Sequence, residues 1–499
     1  MSPIVMISPF MAVRMISNAA VFPEPGIPTT PTTVMCSCMM RCNPAGLINV
    51  QSINVLSYMV IIRGLEESEF LSKLYPLLER CFEGSKEDKR FYNLHHERPY
   101  NAPAWDYSRI ALVDGQLVSH VGIWSFTMSV PGGFKMPSGG IRDVCTDPAF
   151  RRRGLGHLLL EDALSFMRSK DMAFSVLYAG PRQFYRQKGW EVAIPGYRFT
   201  LDASRITCKG EGDHAFTINE TTSEQLVHGI FRMRKATNAF LWFVVERDIG
   251  YLERMIDISL QDPNQHVVSC SDSTGHLEGY ALLKVNPRNE RSSVQILEAR
   301  FTTGSATRSK GIIDAFLAFI KDRFDPGSIS VQLSPNHDIT RRMMGLGALD
   351  RSSLLTGCMV QVVSTRVFLE VLLGGINHML RAQPASIPST SISCRFIVRI
   401  GTKINSTPER RPCRIFFNLD PSDGIPRFEL AGGNECKEES HVPEVSMSRE
   451  TFLSVLFSPI LTVGDALDEG LIQAPRSLHA VIKLMLDHAS WDLEPRDYF

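Results

Sequence analysis

The chain has 499 residues, and at roughly 100–200 residues per domain this length predicts about three domains. Its 53 basic residues balance its 53 acidic residues, so no whole-molecule field would attract nucleic acid. No apolar run approaches the ~18 residues of a membrane span. Composition therefore predicts a globular protein with no membrane span and no nucleic-acid partner.

The 11 cysteines are mostly isolated, with one cluster at Cys36, Cys38 and Cys42. That cluster lacks a CxxC pair and any second half at zinc spacing, so we predict no metal site. Scattered thiols are typical of a reducing compartment and predict a cytoplasmic location. Residues 1–58 are rich in Met, Pro, Ser and Thr, with no amphipathic period. We expect them to be a disordered or spurious leader, with folding beginning near Met59.

Helices and strands alternate from Met59 to about Leu201. A stripe of apolar residues predicts the first helix, and the Asp114–Gly115 turn predicts a hairpin. The predicted elements are a helix over 66–81, strands over 109–113 and 116–126, a strand over 139–148, a helix over 155–168 and a strand over 174–180.

Two further units follow. The second, over about 214–363, has elements in a similar order, which suggests an internal duplication. Its predicted elements are a strand over 215–220, a helical stretch near 240–256, strands over 280–285 and 293–301, a helix over 311–324 and a strand over 328–333. The third, from about 364 to Phe499, has antiparallel strands around a turn at Pro421–Gly424, followed by helices over 448–458, 463–472 and 475–486.

The segment that indicates a function is VCTDPAFRRRGLGHLLLEDALSFM, in which a strand ends at Pro148 and a helix begins near Gly156. Glycines at a helix N-terminus leave backbone N–H groups bare, and with the helix dipole these groups suit a diphosphate. Arg151, Arg152 and Arg153 add bidentate phosphate donors beside them. The alternative is an ordinary helix start whose glycines allow close packing and whose arginines are solvated. The segment fits neither a P-loop, which needs Lys-Ser/Thr, nor a dinucleotide fingerprint, which needs a third glycine.

Arg151-x-x-Gly154-x-Gly156 between a strand and a helix resembles the acetyl-CoA motif of the GNAT N-acetyltransferase superfamily. The text VLYAGPRQFYRQKGWE is similar to that family's Phe-Tyr-x-x-x-Gly-Trp segment, with the tyrosine at Tyr185. The whole chain from Met59 resembles the Eis (enhanced intracellular survival) family, mainly through the C-terminal text SRETFLSVLFSPILTVGDALDEGLI.

The Eis resemblance implies an α/β (α+β) fold with tandem GNAT-fold domains, whose mixed sheets are flanked by helices, and a C-terminal sterol-carrier-like α+β domain. The expected division is a leader over 1–58, a catalytic domain over 59–201, a degenerate GNAT-like domain over 202–363 and the sterol-carrier-like domain over 364–499. Because TGSATRSKG (303–311) lacks Gly-x-Gly, we predict no second cofactor site. Related enzymes form hexamers, which implies a homo-oligomer.

The resemblance also implies the site. Acetyl-CoA is expected as cosubstrate, with its pantetheine along the strand that includes Asp143, and with no metal. The implied cofactor-binding residues are Val144, Cys145, Thr146, Arg151, Arg152, Arg153, Gly154, Leu155 and Gly156. Backbone N–H groups near Val144 would polarise the thioester carbonyl.

Two groups are implied as acid and base. By the motif, Tyr185 corresponds to the family's general acid. A phenol of pKa ~10 keeps its proton at neutral pH and can donate it to a thiolate. The alternative is a packing role for Tyr185. The C-terminal carboxylate of Phe499 falls on the family's general base, although most chain ends fray. An acyl-cysteine at Cys145 lacks an evident His base, because His157 lies on the following helix. Trp105 and Trp124 are candidates for the amine pocket, with core packing as the favoured role.

Two functions follow. One is an N-acetyltransferase acting by direct transfer on a small-molecule or peptide amine, with aminoglycosides, polyamines and lysine side chains as candidate acceptors. The other is a non-catalytic acyl-CoA-sensing or lipid-binding scaffold protein. Retention of both the Arg-x-x-Gly-x-Gly motif and Tyr185 favours the transferase.

Overall fold

The computed structural model describes residues 49–51, 59–82, 105–178, 180–207, 215–238, 241–287, 292–302, 306–382, 393–401, 413–419, 426–430, 444–457 and 463–486. Helices and mixed sheets make these ranges an α/β structure, as predicted. The strands are β1 Asn49–Gln51, β2 Val60–Gly64, β3 Ser108–Val113, β4 Gln116–Val130, β5 Phe134–Thr146, β6 Phe174–Leu177, β7 Glu191–Gly196, β8 Phe199–Asp202, β9 Ala215–Asn219, β10 Val244–Val245, β11 Gln265–Ser271, β12 Leu277–Asn286, β13 Ser293–Phe301, β14 Ser328–Val331, β15 Leu349–Asp350, β16 Ser353–Val362, β17 Ser393–Gly401, β18 Cys413–Leu419, β19 Pro426–Leu430, β20 Glu444–Ser448 and β21 Ile472–Gln473.

Helices cover these sheets. They are α1 Tyr75–Phe82, α2 Leu155–Ser169, α3 Arg182–Arg186, α4 Glu224–Asn238, α5 Ile249–Gln261, α6 Ala306–Phe324, α7 Asp338–Gly345, α8 Thr365–Ala382, α9 Arg449–Phe457, α10 Val463–Asp468 and α11 His479–Leu486. A π-helical turn over Phe70–Leu74 leads into α1. No helix within the described ranges combines the length and apolar character needed to cross a bilayer.

The first sheet has the order β1-β2-β3-β4-β5-β6-β16-β7, with β10 paired to β4. Strands β2 to β5 are antiparallel, whereas β5 and β6 are parallel and joined by α2. The predicted hairpin of β3 and β4 is confirmed: Asp114 and Gly115 both have positive φ, 49° and 82°, which matches the strand twist. Strand β1 lies within the predicted leader and pairs with β2; the rest of 1–58 lies outside the described residues.

The second sheet repeats this arrangement. In the order β9-β11-β12-β13-β14-β8-β15, its β13 and β14 are parallel and joined by α6. The last strand of each unit lies in the other unit's sheet, because β8 pairs with β14 and β16 pairs with β6. The domain boundaries at 201 and 363 stay a prediction. Near each boundary the chain crosses from one sheet to the other, so each sheet contains one strand from the other unit.

The predicted helical stretch near 240–256 is confirmed only for its second half. Helix α5 begins at Ile249, capped by Asp248, whose Oδ1 accepts from the Tyr251 N–H at 2.6 Å. The apolar run before it contains β10, which pairs with β4 and is buried. A short apolar run does not distinguish a buried strand from a helix, since both bury every side chain.

The third sheet has the order β19-β18-β17-β20-β21. Helix α8 joins it to the first sheet: the Asn377 side chain donates to the Phe428 carbonyl and accepts from its N–H, both at 2.8 Å. Phe368 of α8 packs against Phe174 of β6 and Phe452 of α9. One apolar cluster therefore runs from the first sheet into the C-terminal part. The predicted turn at Pro421–Gly424 lies outside the described residues.

Candidate cofactor and catalytic site

A cleft opens where β5 and β6 separate. The two strands pair only over Ser138–Gly140 and Phe174–Val176, and in the described ladder β5 continues to Thr146 without β6. Backbone N–H and C=O groups on that side of β5 are thus available to a ligand, since the neighbouring strand no longer takes them. The gap has a volume of about 670 Å³.

The wall of the cleft comes from α1, β5, the loop before α2, the first turn of α2, and α3. Its lining residues are Cys81, Phe82, Val144, Cys145, Thr146, Phe150, Arg151, Arg152, Gly154, Leu155, Gly156, His157, Pro181, Phe184 and Tyr185. The predicted cofactor residues lie together here, with one difference in orientation. Arg153 is absent from the lining, because its guanidinium donates to the Ala149 carbonyl at 3.1 Å and stacks 4.9 Å over the Phe150 ring.

The loop before α2 reverses direction through two left-handed residues. Arg152 has φ 62° and Gly154 has φ 77°, and Gly154 is the N-cap of α2. A Cβ at Gly154 would meet no atom within 4 Å, so this glycine is required by its backbone angle and faces open space. Gly156 has the other role, since a Cβ there would approach the Phe184 ring to 3.0 Å. The alternative reading of glycines for close packing therefore fits Gly156 but not Gly154.

Tyr185 lies on the opposite wall, held by the rest of its motif. Gly189, with φ 96°, turns the chain so that the Trp190 N–H donates to the Tyr185 carbonyl at 3.3 Å. The Tyr185 ring makes edge contacts with Phe184 and Trp190, at centroid distances of 5.0 and 6.4 Å. The indole of Trp190 donates to Ser175 Oγ at 3.2 Å in the core. Burial, with a smaller contribution from Cys145, raises the pKa of Tyr185, so the phenol is protonated at neutral pH.

Two free thiols face each other across the cleft floor. Cys81 at the end of α1 packs against Cys145 of β5, and the two side chains are hydrogen-bonded. That bond, and then the positive charges of Arg151 and Arg80, lowers the pKa of Cys81 against the opposing effect of burial. The same bond and burial raise the pKa of Cys145. Cys81 is thus the more reactive thiol, since the thiolate is the nucleophile.

We expect iodoacetamide to modify Cys81 before Cys145, by about tenfold or more in rate near pH 7.5. Peptide mass spectrometry over a time course measures both. Arg151→Ala should slow the modification of Cys81, because it removes a charge that favours the thiolate. Arg153→Ala is the matched control, since that side chain is turned away from the cleft. Prior modification of Cys145 would contradict the assignment.

Other predicted site residues lie elsewhere. Trp105 packs beside Phe70 at 5.5 Å, and Trp124 stacks on Tyr251 of α5 at 6.3 Å, and neither lines the cleft. These contacts agree with the favoured packing role for both. His157 does line it, stacked on Phe184 at 4.4 Å, and burial lowers its pKa. Phe499 lies outside the described residues.

Sequence reasoning missed Cys81, Phe82 and His120. The first two end α1 and are distant in sequence from the loop before α2, so no local motif contains them. His120 is fully buried behind β5 and contacts the strand's backbone, with Nδ1 2.9 Å from the Asp143 carbonyl. Within the described residues, no group of three or more His, Cys, Asp or Glu side chains is placed to hold a metal ion.

Comparison with known proteins places the cleft in a recognised domain. Residues 62–193 match the family model described as an acetyltransferase (GNAT) domain. A curated relative, an uncharacterised N-acetyltransferase of Streptomyces avermitilis, is 27% identical over 135 residues. That match covers 26% of this chain and 31% of the relative, so the chain matches about a third of the relative's length.

Solved structures share the fold over most of the chain. A probable N-acyltransferase from Enterococcus faecalis matches with a TM-score of 0.66 at 15% identity, covering 89% of this chain and 100% of that one. A GCN5-related N-acetyltransferase from Anabaena variabilis matches at 0.61 and 14%, covering 87% and 100%. Eis1 from Mycobacterium abscessus matches at 0.56 and 14%, covering 86% and 96%. At such identities the likeness is one of fold, and the predicted mixed-sheet GNAT fold is confirmed. Residues 62–193, which match the GNAT acetyltransferase domain, contain every residue that lines the cleft.

Proposed function

We propose that this chain is an acetyl-CoA-dependent N-acetyltransferase that moves an acetyl group directly to a primary amine of a small molecule or peptide. The observation that carries the proposal is that the unpaired edge of β5, the N-terminus of α2 and the Tyr185 phenol all border one cleft. The β5 edge can pair with the pantetheine of a CoA thioester, the N-terminus of α2 can bind the diphosphate, and the phenol can protonate the departing thiolate. Members of the GNAT fold generally use acetyl-CoA, and the domain match supports acyl transfer.

The residues present fit this cosubstrate. The N-terminus of α2 presents bare N–H groups of Gly154, Leu155 and Gly156 to the cleft, where they and the helix dipole would hold a diphosphate. Arg151 and Arg152 line the same wall and add positive charge. The open space at Gly154 leaves room for the phosphates. Pantetheine amides would pair with the backbone of Val144 and Thr146, which β6 does not take.

The transfer step needs a polarised carbonyl, a neutral amine and a proton for the thiolate. The Val144 N–H would stabilise the oxyanion that forms when the amine attacks the thioester carbon. As the carbon–sulfur bond breaks, Tyr185 would give its proton to the sulfur. Direct transfer is favoured over an acyl-cysteine at Cys145, because burial and the bond to Cys81 raise the pKa of that thiol and make it a poor nucleophile.

The incoming ammonium must lose a proton, and we propose that the carboxylate of Phe499 accepts it, directly or through water. Support comes from the Eis resemblance and from the aromatic end RDYF. Adding one alanine after Phe499 should lower kcat about tenfold or more, because it moves the carboxylate away from the amine. Steady-state kinetics on the extended and unextended chains tests this, with Phe499→Leu, which keeps the carboxylate, as control. Full activity of the extended chain would contradict the assignment.

We further propose that the chain is of the Eis type, with units over 59–201, 202–363 and 364–499, the last of them sterol-carrier-like. We propose a cytoplasmic location and a homo-oligomeric state, for which a hexamer is the arrangement that the resemblance implies. The similarity to Eis1 over 86% of this chain supports the shared architecture. A sterol-carrier-like fold does not by itself imply lipid transport. Sedimentation of the full-length chain measures its oligomeric state.

Free-thiol release from acetyl-CoA across aminoglycosides, polyamines and lysine peptides tests the proposed reaction. Amine-dependent release is the expected result and identifies the acceptor class. Binding of acetyl-CoA by calorimetry with no release for any amine would favour the acyl-CoA-sensing scaffold. Absence of both binding and release would overturn the assignment of the cleft.

A further inference from the structure

The backbone of β5 is irregular beside the cleft. The β4–β5 register shifts between His120 and Gly122, where one extra β5 residue is accommodated, and Asp143 takes a left-handed φ of 48°. Such a bulge breaks the ladder locally and re-aims the groups next to it. The next residue, Val144, lines the cleft and is the proposed donor to the thioester carbonyl.

His120 holds this bulge from behind. Its ring is fully buried, and Nδ1 lies 2.9 Å from the carbonyl oxygen of Asp143. A carbonyl oxygen only accepts hydrogen bonds, so Nδ1 must carry a proton and donate it. His120 does not line the cleft, so its contact with the Asp143 carbonyl is the route by which it reaches the site.

The Asp143 carbonyl and the Val144 N–H belong to the same peptide unit. In a planar trans peptide these two groups point in opposite directions, and no cis peptide bond occurs in the described residues. Because the Asp143 carbonyl points towards His120 of β4, the Val144 N–H points away from β4 and into the cleft between β5 and β6. Donation to the carbonyl also polarises the peptide and strengthens its N–H as a donor.

Ser119, the preceding residue of β4, makes the companion contact. Its Oγ donates to the Cys145 carbonyl at 2.8 Å, and so directs the N–H of Thr146 to the same side of β5. The Thr146 carbonyl accepts from Arg151 Nε at 3.1 Å, so this carbonyl faces the loop before α2. Consecutive side chains of β4 thus contact the Asp143–Val144 and Cys145–Thr146 peptides, one before and one after the Val144–Cys145 peptide.

We propose that His120 is a positioning residue for acetyl transfer, which orients and polarises the Val144 N–H through the Asp143 carbonyl. The inference rests on the proposed function, because it requires the Val144 N–H to receive the charge that develops on the thioester oxygen. Since that charge develops in the transition state, losing the contact should affect kcat rather than the affinity for CoA.

His120→Leu removes the donor and His120→Asn keeps an N–H near the position of Nδ1. Loss of a whole oxyanion donor lowers kcat about 10²–10³-fold, so a donor that is only misaligned should lower it about 10- to 100-fold. We expect that loss in His120→Leu, with CoA affinity by calorimetry within about threefold, and recovery of most of kcat in His120→Asn.

His337→Leu is the matched control. His337 is also buried and also contacts a backbone carbonyl, that of Ala299 at 3.1 Å, but in the second sheet. Its replacement should lower the melting temperature to a similar extent and should leave kcat unchanged. Equal kcat in wild type and His120→Leu would overturn the proposal, as would equal losses in His120→Leu and His337→Leu at matched melting temperatures.

The tautomer gives a readout that does not depend on turnover. Long-range proton–nitrogen NMR of ¹⁵N-histidine protein, assigned with His120→Asn, should show His120 protonated at Nδ1. A proton on Nε2 alone would overturn the proposal. If the wild type binds CoA and acetylates no amine, the proposed function fails. An Nδ1-protonated His120 would in that case still support the hydrogen bond from His120 to the Asp143 carbonyl.

Discussion

Gly154→Glu is expected to abolish acetyl-CoA binding, with a loss of affinity of about 100-fold or more measured by calorimetry. Gly154 has φ 77° and is the N-cap of α2 beside the cleft. A Cβ there would meet no atom within 4 Å, so we expect the glutamate to extend into the space where the diphosphate is proposed to lie. Its carboxylate would occupy the helix N–H groups and repel the phosphates, and both effects oppose binding.

Two variants separate this loss from backbone strain. Gly275→Glu introduces the same side chain at a glycine with φ 82° and nothing within 4 Å, in the distant turn between β11 and β12. It should retain full affinity at a comparable loss of melting temperature. Gly154→Ala brings the strain without the charge and should weaken binding only modestly. Retained affinity in Gly154→Glu would mean that the diphosphate lies elsewhere.

The local elements and the left-handed turn before α2 were predictable because each depends on residues close in sequence. The β3–β4 turn needs two left-handed residues, and Asp114–Gly115 supplies them. The apolar period of α2 and the left-handed Gly154 before it fix where that helix begins. Tyr185 could be proposed from the motif alone, and its neighbours Gly189 and Trp190 explain in physical terms why the motif is constructed that way.

Long-range features could not be predicted in the same way. The elements predicted from the sequence include no strand over Ser353–Val362, and hydrophobicity does not specify that β16 pairs with β6 of the other unit. Nothing near His120 in the sequence marks it, because its partner is a carbonyl 23 residues away, exposed by a bulge in the next strand. Cys81 likewise meets Cys145 only after α1 packs on β5. Contacts to backbone carbonyls and exchanged strands do not depend on the hydrophobic periodicity of the sequence, so that periodicity cannot predict them.

Tyr185→Phe is expected to lower kcat by about 10²–10⁴-fold, the usual contribution of a general acid, without changing acetyl-CoA affinity. The substitution keeps the ring that packs against Phe184 and Trp190 and removes only the hydroxyl. Because burial raises the pKa of Tyr185, the phenol keeps its proton across pH 6–9. Wild-type kcat should therefore show no alkaline decline due to Tyr185 in that range.

Tyr197→Phe is the control for this prediction, since Tyr197 is another phenol whose pKa is raised, to about 12, by burial. It is partly buried and does not line the cleft. Its kcat should equal that of the wild type. Single-turnover thiol release with saturating acetyl-CoA measures the chemical step and calorimetry measures the affinity. A reduced rate together with unchanged affinity assigns Tyr185 to the transition state, where the thiolate leaves, rather than to ground-state binding. An unaltered rate in Tyr185→Phe would remove the phenol from the reaction and leave solvent as the source of the thiolate's proton.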